Sequence, residues 1–464
     1  MEKRRHRLVF LIALLTFSSC GENFLNVRRD KSQVVPKTVE DYDALFNRTS
    51  TINNQSSHLL ATVGGDEYYL TDEAWSTLPL IYEKNAYIWA DDVYEQSNEI
   101  HDWNNAYHRI LLANMALDGL KTVTPHNDAE REAWNKVKGT ALFTRAFNYY
   151  QLAQVFCKPY DEQSASTDPG LPLRLESDVT VQVQRLSVDE TYRHIIDDLT
   201  EAAELLPLRP DLVTQPSKVA SFALLAKTYL QIADYSNALR YSNMCLENKP
   251  DLLDFNSIDV SAEAPFPYMP LYEVENPEIV YFATPTILAA TGASRINMDT
   301  VLVDMYEEGD LRKEAFYMTD QAGKVVFKGS YSGAGPYGFF SGLSNNEQYL
   351  ISAECYARRG MIVEALDVLN RLLINRYREG AFVPVSSDGI DLLKRIVTER
   401  RKELVLRGIA WEDFRRLGRE PELRRTLTRI IDGVEYKLEP NTAKCVWPIP
   451  DSEVDIGGIT QNER

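Results

Sequence analysis

The sequence predicts a mainly α fold: a scaffold of tetratricopeptide-like helix pairs carrying an irregular, loop-rich ligand-binding lobe. Three observations predict it. Apolar residues recur at three- and four-residue steps through most of the chain. A helix-pair signature appears at 217–250 and again from Tyr349. One stretch, 251–345, abandons that rhythm for proline, glycine and aromatic residues.

Residues 3–7 read Lys-Arg-Arg-His-Arg, and an apolar run follows from Leu8 to Leu15, then Thr16-Phe17-Ser18-Ser19-Cys20. This is an export signal, too short to span a bilayer comfortably. Small residues directly before Cys20 make it a lipoprotein signal, with 1–19 removed and the Cys20 thiol acylated. No later stretch offers 18 consecutive apolar residues, so acyl chains would be the only anchor. A polar tether then runs to about Pro36, and Thr38 caps a first helix ending near Phe46.

Residues 50–100 are less regular and rich in aromatics. From Trp103 the helical period is plain, with Tyr107, Ile110, Leu111, Asn114, Leu117 and Leu120 on the same face. A second helix is expected over 129–156, then a loop over 160–175 broken by Pro169-Gly-Leu-Pro172. Ser187 and Glu190 form a capping box for a helix ending near Leu206-Pro207. Phe222, Leu225, Ala226, Tyr229, Ala238 and Pro250 match a tetratricopeptide pair; Tyr349, Ala353, Tyr356, Ala365 and Leu369 repeat it, and Leu142, Ala146 and Tyr149 form a weaker copy. Long insertions separate these copies, which predicts a scaffold rather than a regular solenoid. Helices return over 346–377 and 389–418, and the tail from Arg424 is mostly loop with a short hairpin at Asp432-Gly433. The mature chain, 20–464, is expected to be a single domain, with scaffold over about 38–250 and 346–418 and lobe over about 251–345.

Composition excludes several function classes. The 68 acidic and 50 basic residues give a formal charge of −18, which repels phosphate backbones and argues against nucleic acid. The five cysteines have no metal-ligand spacing; Cys157, Cys245 and Cys355 sit in apolar helical contexts as small hydrophobes. His101 and His108 share a helical face near Glu99 but lack a third placed ligand, so no metal and no cofactor is expected. Gly333-x-Gly335-x2-Gly338 spells a dinucleotide fingerprint, yet Pro336 interrupts it and no helix follows, which makes it a loop. Asp91-Asp92 and Glu307-Glu308 are the carboxylate pairs a hydrolase would use, but such pairs arise by chance in so acidic a chain. Arg400-Arg401-Lys402 with Arg415 and Arg416 reads as a solvated, ion-paired helix face.

Several stretches resemble the SusD/RagB family of nutrient-binding outer-membrane lipoproteins. They are Cys20-Gly-Glu-Asn-Phe-Leu25, Asp41-Tyr42-Asp-Ala-Leu45, Trp103-x3-Tyr107-x2-Ile110-x3-Asn114 and Arg145-Ala146-x2-Tyr149-Tyr150. Pro169-Gly-Leu-Pro-Leu173, Glu399-Arg-Arg-Lys-Glu-Leu404, Gly408-x2-Trp411-x-Asp413-Phe-Arg-Arg416 and Trp447-Pro-Ile-Pro450 with Gln461-Asn462 extend the resemblance over the whole mature chain. Arg407, Ala410 and Phe17 depart from the residues the family more often has there. The resemblance implies a non-catalytic surface protein that captures an oligosaccharide or peptide and passes it to a SusC-like, TonB-dependent β-barrel transporter in the outer membrane. The alternative from another class is a surface hydrolase of the same polymers; a third is a scaffold with no small ligand.

A sugar site needs flat aromatic faces and hydrogen-bonding groups for hydroxyls. Two regions supply the candidates: Trp75, Tyr87, Trp89 and Tyr94 in one, and Tyr268, Tyr272, Tyr331, Tyr337, Phe339 and Phe340 in the other. Trp89 and Tyr337 lead. Trp103 and Trp411 are assigned to the core.

Overall fold

Long amphipathic helices form wherever the apolar period runs unbroken, and each packs on the next along the chain. The computed structural model describes residues 36–56, 59–97, 99–266 and 276–464. The signal segment and Cys20 therefore lie outside the described residues, as do Tyr268 and Tyr272. The chain divides into Met1–Thr38 and Val39–Arg464, and the described helices and strands lie in the second.

We label the long helices α1 (His101–Leu120), α2 (Asp128–Phe156), α3 (Val188–Leu205), α4 (Lys218–Gln231) and α5 (Tyr235–Asn248), followed by α6 (Asn345–Arg358), α7 (Ile362–Leu373), α8 (Gly389–Glu403) and α9 (Ile409–Arg416). Their starts are written in the sequence. Asn127, Ser187, Ser217 and Asp234 each cap a helix by accepting a backbone N–H, and at Ser187 the full capping box forms with Glu190. The helices stack in chain order from α1 to α7, and α8 packs on α6. The fold is mainly α, as expected.

One expectation is corrected. The two helix-pair copies are far apart in sequence, yet α5 lies directly on α6, so the helical stack is continuous in space. The insertion leaves and re-enters at one point: Asn345 Nδ2 donates to the carbonyl of Asp251 at 3.1 Å. Small residues make the close approach feasible. Ala226, Ala238, Ala353 and Ala365 are fully buried, and Tyr229 and Tyr241 stack with centroids 5.6 Å apart.

Between α8 and α9 the helical stretch expected over 389–418 is interrupted, because Leu406 and Gly408 adopt positive φ (54° and 78°). The C-terminal hairpin is longer than its sequence signal. Strands Leu427–Ile431 and Val434–Leu438 pair around Asp432 and Gly433, both at positive φ as a type I′ turn requires. The remaining strands are short and two-stranded. Of these, β1 (Tyr68–Tyr69), β2 (Ile279–Tyr281), β3 (Asn297–Met298), β4 (Tyr317–Thr319), β5 (Val325–Phe327) and β6 (Leu343–Ser344) pair as β1–β3, β2–β6 and β4–β5.

The basic cluster near α8 is also corrected. Arg400, Lys402 and Arg415 are buried rather than solvated, and each finds carboxylates or carbonyls inside. Arg400 Nε meets Asp413 at 2.9 Å, Lys402 Nζ meets Asp310 at 2.9 Å, and Arg415 donates to the carbonyls of Gln154 and Cys157. Only Arg401 and Arg416 keep partial exposure. Charges on helices usually face water; here Lys402 meets Asp310 of the lobe while Arg400 and Arg415 find partners on neighbouring helices, which no single helix face reveals.

The four described cysteines are buried free thiols. Burial pushes Cys157 up to about 11 and Cys245 up to about 12, so both stay protonated and unreactive. Among the described residues, no helix is long and apolar enough to cross a membrane.

Candidate functional site

Chain pairing joins the two candidate regions into one lobe. Strand β1, from the first region, pairs antiparallel with β3, from the second, setting Tyr68 against Met298 and Tyr69 against Asn297. Arg295 reaches back to the other segment, donating to the Ala74 carbonyl at 3.1 Å and to Thr77 Oγ1 at 2.7 Å. Glu83 accepts the backbone N–H of Ala290 at 2.7 Å. A surface is thereby assembled from segments more than two hundred residues apart in the sequence, a range no local pattern reports.

Most of the candidate rings are corrected from platforms to core. Trp89 is 1% exposed: its Nε1 donates to the Gly64 carbonyl, and the Arg429 guanidinium lies 4.4 Å above the ring. Tyr87 accepts the Leu70 N–H through its hydroxyl, Tyr94 donates to the Pro448 carbonyl, and Tyr331 donates to Glu278. Phe339 packs edge-on to Phe327, while Phe340 and Tyr331 hold the Arg407 guanidinium at 5.1 and 4.2 Å. These rings are buried because a lobe of two-stranded sheets has little else to build a core from, and large aromatics supply the most apolar area per residue. Arg407, a departure from the family pattern, pins the lobe from below; it also donates to Ser344 Oγ at 2.9 Å. Trp103 and Trp411 are buried, as assigned.

Among the described candidates, Tyr337 and Trp75 reach the surface. Tyr337 is 76% exposed at the tip of the Gly335–Tyr337 turn. Its loop is fixed from within: Gly335 has φ of 55°, and Ser332 Oγ donates to the Gly338 carbonyl at 2.9 Å. The turn packs on β5, which packs on β3. Trp75 is half-buried, anchored by Nε1 to the Lys84 carbonyl, with Lys84 Nζ 5.8 Å from its ring centre. Tyr69 is a third surface ring, missed by sequence reasoning and 44% exposed on β1. Its signal was the alternation of a strand only two residues long, which buries Tyr68 and turns Tyr69 outward.

The carboxylate pairs do not assemble a hydrolytic site. Burial raises Glu307, but Lys402 and Arg395 outweigh it and hold the group at about 2, unsuited to a general acid at neutral pH. The hydrogen bond and charge of Lys444 hold Asp91 below the usual carboxylate range, and Asp92 caps the N–H of Glu95. Burial raises Glu67 and Asp102 to about 7 and also raises Glu83, Asp198 and Glu412, and all five are buried. His108 is exposed, and among the described residues no group of three or more His, Cys, Asp or Glu converges on a metal position.

Comparisons with known proteins agree with this architecture. Residues 23–230 match a family of SusD-like proteins described as starch-binding and associating with the outer membrane. The SusD-like protein P2 of Formosa agariphila is 27% identical over 256 residues; the match spans 53% of this chain and 47% of that protein, about half its length. A SusD superfamily protein from Bacteroides thetaiotaomicron superposes with a TM-score of 0.72 at 20% identity, over 92% of this chain and 100% of the other. A SusD-like carbohydrate binding protein from Bacteroides vulgatus superposes with a TM-score of 0.64 at 21% identity, over 91% and 97% of the two chains. The solved structures share the fold, and the match over residues 23–230 agrees with the likeness to the SusD/RagB family seen in the sequence.

Proposed function

We propose that this protein captures an oligosaccharide at the outer face of its aromatic lobe and passes it to a SusC-like, TonB-dependent β-barrel transporter. It acts as a non-catalytic binding protein, anchored in the outer membrane through lipid on Cys20. Exposed Tyr337 carries the reading: a bare phenol ring held on a pinned turn offers a flat face to the C–H side of a pyranose. Tyr69 and Trp75 lie on the segment that β1–β3 pairing joins to the same lobe. The family description and the sugar-binding relative support a glycan over a peptide for this site.

The test is calorimetric titration of the chain starting after Cys20 with oligosaccharides such as maltoheptaose, each mixture also assayed for cleavage products. Tyr337→Ala is expected to weaken binding roughly fivefold to tenfold, the value of one ring contact, while stability stays within about 0.5 kcal/mol because the ring touches little. Trp89→Ala is the contrast, expected to cost about 3–5 kcal/mol of stability as a buried aromatic. Undiminished binding by Tyr337→Ala, or released products, would sink the reading.

A further inference from the structure

A strained loop lies between the lobe and the C-terminal segment. Helix Ile81–Tyr87 ends in a Schellman pair: the Ala90 N–H reaches the Asn85 carbonyl at 2.9 Å, and the Trp89 N–H reaches that of Ala86 at 3.1 Å. That motif favours glycine in its left-handed position, yet Trp89 fills it, at φ of 52°. A second departure follows. The Ser97 N–H closes on the Tyr94 carbonyl at 2.8 Å across Glu95 and Gln96, whose φ values are 44° and 62°. Two positive φ values inside such a bond make a type I′ turn, which favours Asn-Gly. Glu and Gln resist that conformation. Local sequence therefore does not set the path of 89–97, and its surroundings must hold it there.

The C-terminal segment supplies the hold. Lys444 Nζ pairs with Asp91 at 2.7 Å, and Arg464 Nε donates to the Ala90 carbonyl at 2.8 Å. Tyr94 donates to the Pro448 carbonyl at 2.7 Å, and the Gln96 N–H reaches Asp451 at 3.2 Å. This segment is itself firmly seated. Trp447 stacks on Trp411 with centroids 5.4 Å apart and donates its backbone N–H to the Val155 carbonyl at 3.0 Å. The Gln461 amide bonds both ways with the Ile449 backbone, at 2.7 and 2.9 Å, and Asn462 Nδ2 bridges the carbonyls of Phe156 and Trp447. A well-tied element against a strained one sets the direction of control.

The loop in turn meets the seat of a surface ring. Glu95 Oε1 accepts from Asn85 Nδ2 at 2.8 Å, and the neighbouring Lys84 carbonyl anchors Trp75 Nε1 at 3.1 Å. We propose that residues 444–464 are a strap that holds loop 90–97 under strain, and that slackening the strap relaxes the loop and loosens the seat of Trp75. Its outer tie yields first: the Asp91 side chain is 80% exposed and that of Lys444 36%, so water and salt weaken the pair. The buried Tyr94–Pro448 bond is the pivot. The inference concerns conformation and does not rest on the sugar reading.

The test uses the chain starting after Cys20 and needs no ligand. In a Lys444→Ala, Asp451→Ala double variant, amide hydrogen exchange over 90–97 is expected to quicken roughly tenfold, while α2 and α4 exchange as in the native protein. Adding Gln96→Gly should restore slow exchange, because glycine accepts positive φ without strain. Lost contacts alone could not be recovered by a more flexible residue. The Trp75 indole resonance, assigned in ¹⁵N-tryptophan protein by its loss in Trp75→Phe, should move in the double variant and return with Gln96→Gly. Native exchange over 90–97 in the double variant overturns the strap. Failure of Gln96→Gly to rescue overturns the strain, and a Trp75 resonance indifferent to both overturns the link to the lobe.

Discussion

The helical stack and the joint between α8 and the lobe are held by opposite chemistry. Between helices α4, α5 and α6 a cluster of small and apolar residues, Ala226, Ala238, Leu239, Ile351 and Cys355, makes the contact, with an ion pair, Lys227–Glu347 at 3.5 Å, beside it. At the joint, ions take the place of hydrocarbon. Arg312 donates to Asp310 and Glu399 at 2.7 Å and to Glu403 at 3.0 Å, and Arg376 meets Glu278 at 2.7 Å and Glu403 at 2.8 Å, all fully buried. Apolar packing is local and forgiving in identity, so it repeats along a stack. A buried ion cluster tolerates only a complete set of partners, so it specifies one docking of lobe on scaffold while adding little net stability.

Removing one ion should show the difference most strongly. Glu403→Ala takes one carboxylate from each of Arg312 and Arg376 in the interior and is expected to cost about 3–5 kcal/mol in urea unfolding; an unchanged midpoint would erase the contrast between the regions. Next in size is a pH effect at the edge of the lobe. Burial raises Glu67 from 4.5 to about 7, where it accepts the Leu406 N–H at 2.9 Å. A raised folded-state value means stability is fully present below the unfolded value and is lost as pH climbs through about 7, a loss of order 3 kcal/mol for one such group. Glu67→Gln keeps an acceptor for Leu406 but cannot ionise, so melts at about pH 5 and about pH 8 should lie closer together than in the native protein. Equal separation would show that Glu67 ionises without cost. The smallest expected change is in the stack. Ala353→Leu overfills the α6 interface for about 1–3 kcal/mol, and a neutral result would mean that the stack does not depend on its small residues.

Much of the scaffold was legible because its signals are local. Ser187 and Glu190 lie three residues apart, the Trp103–Leu120 stripe repeats every turn, and Asp432-Gly433 names its own turn type. The lobe was less so. Aromatic residues at 87–94 and 331–340 mark a region rich in rings, but whether a ring is core or surface depends on partners such as Gly64, Pro448 and Arg407 that lie far along the chain. The same holds for Arg400, which meets Asp413 of the next helix, and for Lys402, which meets Asp310 of the lobe. Trp103 shows the reverse: the helical stripe alone assigned it to the core, and it is buried there.

The hydrogen bond from Asn345 to Asp251 has an evolutionary and engineering consequence. Because the chain departs from the stack and rejoins it at one spot, the intervening segment behaves as an exchangeable cassette, free to change length without disturbing the helices on either side. The exchange carries a password, however. A transplanted lobe that brought its own aromatic interior but lacked counterparts of Glu278, Asp310 and Arg312 would leave Arg376, Glu399, Lys402 and Glu403 without their partners in the dark of the interior. Chimeras between relatives should therefore succeed or fail on those three positions before any question of ligand arises.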